Sequence, residues 1–170
     1  AIIREVGDRY KEMPMLNSLG IIATKRGNLQ EAIGPYREAL AIMREFEDRE
    51  SEGAALSNLG ALTAHLEQFD DAEILFQEAL TIAREIGDLR GEGQRLNNLG
   101  IIASSRGDYE ESGRMHRESL DIARRVRDRA LEGLALNNLG SNADHLGDDA
   151  EAGRLHGEAL AIAREIRDRH

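Results

Sequence analysis

Leu96-Asn97-Asn98-Leu99-Gly100 decides the architecture of this chain, because the same frame returns three more times. It stands at Leu16-Asn17-Ser18-Leu19-Gly20, Leu56-Ser57-Asn58-Leu59-Gly60 and Leu136-Asn137-Asn138-Leu139-Gly140, always 40 residues apart. A fixed interval of that length marks stacked repeat units. The chain therefore divides into repeats 9–48, 49–88, 89–128 and 129–168 within a single domain, 1–170. Nine columns are identical in all four repeats, appearing in the first as Glu12, Leu16, Leu19, Gly20, Glu38, Leu40, Ile42, Arg44 and Asp48. Residues 1–8, AIIREVGD, match the end of a repeat, as in TIAREIGD at 81–88, and read as the end of a preceding repeat's second helix.

Each repeat reads as two helices. Leu16, Leu19, Gly20 and Ala23 fall at i, i+3, i+4 and i+7, one face of an α-helix. Asp8, Asp48, Asp88 and Asp128 precede these first helices and suit the free amides and dipole of a first turn. Breaks follow at Gly27-Asn28, Gly107-Asp108 and Gly147-Asp148, and each is succeeded three residues later by a glutamate in capping-box form. The second repeat has Glu67-Gln68 there, with Asp70 as its expected cap. First helices are expected near 9–26, 49–66, 89–106 and 129–146, and second helices near 30–46, 70–86, 110–126 and 150–167. Pro14 predicts a late start or bend in the first helix, and Pro35 a distorted first turn in the second. The recurring glycine, which costs about 1 kcal/mol against alanine inside a helix, implies closely approaching helices. The small residues Ala32, Ala72, Ser112 and Ala152 are expected to face it, with Ala39, Ala79, Ser119 and Ala159 two turns later. One hairpin cannot bury both its apolar faces, so the hairpins must stack. The fold class is all-α, a right-handed superhelix of antiparallel helix hairpins.

Composition removes several functions. The chain has 170 residues, 22 Lys plus Arg against 32 Asp plus Glu, and a net charge of −10. That balance disfavours nucleic acid, whose phosphates need a basic face. Aromatics are 4% with no tryptophan, too few for base-stacking platforms. No cysteine is present, which removes disulfides, zinc thiolates and thiol catalysis and fits a cytoplasmic, intracellular protein. No apolar run approaches the roughly 20 residues of a membrane span, and no signal-peptide pattern opens the chain. The glycines form no phosphate loop. Glu12, Glu52, Glu92 and Glu132 are periodic, so they read as dipole partners or as mates of Arg44, Arg84 and Arg124 on the preceding helix, not as acid–base pairs. His116 and His156 share a column with Tyr36 and Phe76, which favours packing over metal ligation. Neither a cofactor, a metal nor a catalytic residue is expected.

Leu16-x-x-Leu19-Gly20, Ala32, Tyr36 and Ala39 resemble the tetratricopeptide repeat, with its Leu-Gly, alanine, aromatic and alanine columns. The resemblance covers the whole chain. The 40-residue form resembles the repeats of the Leu-Gly-Asn spindle-orientation adaptors, of kinesin light chains and of the sensor arms of bacterial signalling ATPases. The chain departs from the family's 34-residue period and lacks its early tryptophan. Its terminal proline is replaced by Arg44, Arg84, Arg124 and Arg164. The relatives imply a non-catalytic scaffold that binds a protein or peptide, extended or helical, in a concave groove. The alternative is a regulatory arm of a larger signalling ATPase or transcription regulator.

In this family the first helices line the groove, so the face opposite the Leu-Leu-Gly stripe becomes the candidate site. It carries Asn17, Ser18, Ile21 and Lys25, then Ser57, Asn58, Ala61 and His65. The later repeats add Gln94, Asn97, Asn98, Ile101 and Ser105, then Leu134, Asn137, Asn138, Ser141 and His145. Asn58, Asn98 and Asn138 recur in one column, and a carboxamide both donates and accepts, as a peptide backbone requires. The same column could instead brace one helix to the next; both readings stand. The Lys and Arg of the related co-chaperones' carboxylate clamp have no match, so an acidic chaperone tail is not expected. Leu160, Ile162 and Ile166 would normally meet a following repeat, which implies sticky ends and head-to-tail self-association.

Overall fold

The computed structural model describes residues 2–168, with side chains from Arg9 onward. Every element among these residues is an α-helix: α1 (Ile2–Lys25), α2 (Leu29–Glu45), α3 (Arg49–His65), α4 (Phe69–Ile86), α5 (Leu89–Ser105), α6 (Tyr109–Val126), α7 (Arg129–Leu146) and α8 (Asp149–Arg167). They form two compact units, Ala1–Ile86 and Gly87–His170. In the first, hairpins α1–α2 and α3–α4 pack through α2 and α3; in the second, α5–α6 and α7–α8 pack through α6 and α7.

Left-handed residues recur every 20 positions and set the joints: Gly27, Glu47, Glu67, Gly87, Gly107, Arg127 and Gly147 all have φ between 55° and 83°. Asp48, Asp88 and Asp128 cap the helices that follow by accepting from the amides of Ser51, Gly91 and Leu131. Asp108 and Asp148 do the same for Glu111 and Glu151. A side chain in this conformation costs about 1–2 kcal/mol that glycine does not incur. Glu67→Gly should therefore stabilise the first unit by up to about 1 kcal/mol, and Gly107→Ala should cost the second about the same. Urea melts of the two variants check both signs.

Four local expectations differ. The backbone of α1 continues through Gly7-Asp8, where Gly87-Asp88 turns. Pro14 lies within α1 without delaying its start, since it removes only one internal hydrogen bond. Asn28 makes no side-chain cap for α2, which holds Pro35 inside it as expected; the Asn28 amide donates to Glu31 Oε2 instead, at 2.9 Å. Asp70 sits within the first turn of α4, not before it.

The recurring glycine faces the aromatic column rather than the small one. A Cβ on Gly20, Gly60, Gly100 or Gly140 would lie 2.6–2.9 Å from the rings of Tyr36, Phe76, His116 or His156. The flat rings use the space that the missing side chains leave. Ser112 instead meets the next hairpin, its hydroxyl accepting from Asn142 Nδ2 at 2.8 Å. Ser119 does reach its own first helix, donating to the Gly93 carbonyl at 2.8 Å. Around these contacts Leu56, Ile82, Leu136 and Ile162 close the cores of the two units. Each fully buried leucine or isoleucine contributes about 1.5–3 kcal/mol.

Two of the periodic glutamates, Glu52 and Glu132, are ion-pair partners. Buried Glu52 accepts from Arg44 Nε at 2.8 Å and Arg49 Nη1 at 2.6 Å, and these arginines also hold Glu78 and Glu85. Glu132 repeats the arrangement with Arg124 at 3.1 Å and Arg129 at 2.5 Å. Arg129 also pairs with Glu165 at 2.6 Å. Each pair set ties one second helix to the hairpin after it.

Candidate peptide-binding face

The first helices present most of the candidate residues to solvent. Ser18, Ile21, Lys25, Asn58, Ala61, His65, Gln94, Ile101, Ser105, Leu134, Asn137 and His145 are exposed. Asn17, Ser57, Asn98, Asn138 and Ser141 are half-buried. Ile101 is 43% and Leu134 56% exposed, large apolar side chains on an otherwise polar face. Asn97 differs: it is 5% exposed and belongs to the interior. Helix geometry explains this, because position 97 lies at the edge of the face, where it turns toward α6.

Asn97 is the centre of a polar network. Its Oδ1 lies 3.1 Å from His116 Nδ1 and accepts from Asn138 Nδ2 at 3.0 Å. Asn138 thus ties α7 to α5, the bracing role for that member of the column. Asn58 and Asn98 make no hydrogen bond among the described residues. His116 is 1% exposed, and burial lowers its pKa to about 4. In the last repeat the related pair opens outward: His156 Nδ1 lies 3.2 Å from Asn137 Oδ1, and Nε2 lies 3.2 Å from Asp144. The residue 19 positions before the aromatic column is asparagine opposite Tyr36, His116 and His156 and serine opposite Phe76, so only the histidine itself marks this network in the sequence.

The serines among the candidate residues point their protons into their own helices. Ser18, Ser57, Ser105 and Ser141 donate to the carbonyls of Pro14, Gly53, Ile101 and Asn137. Between α5 and α7, Ser105 and Ser141 help to line a cleft of about 310 Å³, with Ile101, His116, Asn138 and His145 among its walls. The His145 ring lies flat on Tyr109, centroids 4.4 Å apart. No group of three or more His, Cys, Asp or Glu side chains suited to a metal ion occurs among the described residues. Nor is any described helix long and apolar enough to cross a membrane.

Solved structures share this fold. BtubC (BKLC) from P. vanneervenii is 23% identical over 93% of this chain and 65% of its own, with a TM-score of 0.82. A Rap protein complexed with Competence and Sporulation Factor is 22% identical over 91% of this chain and 43% of its own, at 0.80. A Podospora anserina putative kinesin light chain with nearly identical TPR-like repeats is 17% identical over 92% of this chain and 76% of its own, at 0.74. The chain thus spans about two thirds of BtubC and under half of the Rap protein. No curated protein matches its sequence. The tetratricopeptide-repeat family model matches residues 2–89 and 91–165, and the chain belongs to that family.

Proposed function

We propose that this chain is a non-catalytic interaction scaffold that binds a protein or peptide segment along the exposed faces of its first helices. One observation carries the reading. In the first unit these faces carry exposed Ile21 and the Asn58 carboxamide, and in the second exposed Ile101 and Leu134 and the half-buried Asn98 carboxamide; no neighbouring group engages either carboxamide among the described residues. A solvated helix face of ordinary kind carries charges, whereas this one holds a single lysine among the 18 candidate residues. Carboxamides can pair with a peptide backbone whatever its sequence, and the apolar spots then select side chains. The Rap protein of the same fold, solved with Competence and Sporulation Factor, supports the same use of the fold.

The test begins with a displayed peptide library selected on the whole chain. For a selected peptide, Asn58→Ala combined with Asn98→Ala should weaken binding at least tenfold, with the melting temperature changed by less than about 3 °C. Asn138→Ala should chiefly lower the melting temperature, since that side chain braces α7 to α5. Parallel loss of affinity and stability in the Asn58/Asn98 variant would assign that column to bracing throughout.

A further inference from the structure

We propose that the cleft between α5 and α7 takes the guanidinium of an arginine from the bound segment, an inference that rests on the peptide-binding reading above. The argument turns on where the protons lie. Ser105 Oγ donates its one proton to the Ile101 carbonyl at 3.0 Å, and Ser141 Oγ donates its own to the Asn137 carbonyl at 3.2 Å. Both hydroxyls therefore offer lone pairs alone. The Asn138 amide nitrogen gives one of its two protons to Asn97 Oδ1, and the Asn138 oxygen stays open as an acceptor. That same Asn97 oxygen can only accept, so the proton of neutral His116 sits on Nδ1. His116 Nε2 then carries a lone pair.

Four groups lining one cleft thus offer lone pairs, and of the four only Asn138 keeps a proton to give. A carboxylate or phosphate finds one donor among four acceptors. A ligand with several N–H groups in one plane suits them, and arginine has five. Its methylenes have an apolar wall in Ile101, and the His145 ring, held flat on Tyr109, provides a surface for stacking. Lysine is the poorer fit: its ammonium is a compact, strongly hydrated charge, and no carboxylate lines the cleft to replace that water. The net charge of −10 draws a cationic segment toward the chain as a whole.

The experiment is a titration of the isotopically labelled full chain, followed by nuclear magnetic resonance. The probes are the N-acetyl amides of arginine, lysine and glutamate. The arginine probe should shift Ser105, Asn138, Ser141 and His145 at millimolar concentration, the lysine probe at least fivefold more weakly, and the glutamate probe not at all. Ser105→Lys, at an exposed position, should reduce the arginine response at least tenfold without changing the melting curve. Equal responses to glutamate and arginine, or an arginine response untouched by Ser105→Lys, overturn the inference. A library-selected peptide that shifts α5 and α7 but tolerates loss of every arginine overturns it too, while leaving peptide binding intact. Failure of any selected peptide to shift the first helices overturns both.

Discussion

Glu132→Gln is expected to destabilise the second unit by about 1.5–3 kcal/mol, the scale of hydrogen bonds to a charged group. Glu132 is 8% exposed, and both carboxylate oxygens are engaged, one by Arg124 and the other by Arg129. Glutamine keeps the shape but turns an N–H₂ group toward a guanidinium, donor against donor. It also removes the buried charge facing two half-exposed arginines, which keep Glu158 and Glu165 as partners. The Nε of Arg129 already lies buried without a partner, so this side chain has little reserve. Glu52→Gln should act alike in the first unit, where Glu52 is held by Arg44 and Arg49. Exposed pairs provide the contrast: Glu151 holds Arg154 within one helix, and Glu151→Gln should cost less than 1 kcal/mol. Urea unfolding of the three variants ranks them. A loss below 1 kcal/mol for Glu132→Gln would mean that the pair adds nothing beyond its neighbours' packing.

The repeat frame was legible because 40-residue identity and helical spacing agree in every repeat. Seven of the eight helices begin and end within about a residue of their expected bounds. The exception is α1, because a Gly-Asp pair does not end a helix by itself. At Gly87-Asp88 the backbone turns; at Gly7-Asp8 the same two letters lie inside one helix. The partner of the recurring glycine is hidden for a related reason. Size alone pairs small residues with small ones, whereas the hairpin register places the ring of Tyr36, Phe76, His116 or His156 over each glycine. The pairing of Glu52 with Arg44 and of Glu132 with Arg124 was legible, since opposite charges eight residues apart flank the joints at Glu47 and Arg127. Asn97 was not, because helical angle alone leaves an edge residue undecided between groove and core. Only its coupling to His116 resolves the choice.

That coupling leads to the second large effect, a loss of stability in mild acid that traces to one side chain. Burial lowers the pKa of His116 to about 4, against an ordinary histidine value near 6.5. Protons therefore bind the unfolded chain before the folded one. The contribution of His116 is complete above pH 6.5 and falls progressively as the pH drops toward 4, by about 3 kcal/mol in all. No carboxylate offsets the charge: α5 presents Asn97, and the cleft walls from α7 present Asn138, Ser141, Asn142 and His145. Carboxylates also titrate below pH 5, so the measurement must be differential. His116→Phe copies the arrangement of Phe76 over Gly60 and leaves Asn138 bonded to Asn97. Urea midpoints of parent and variant, taken from pH 7.5 to 4, should diverge in favour of the variant by about 3 kcal/mol. Parallel curves would mean that the imidazole takes up its proton in the folded state as readily as in the unfolded chain.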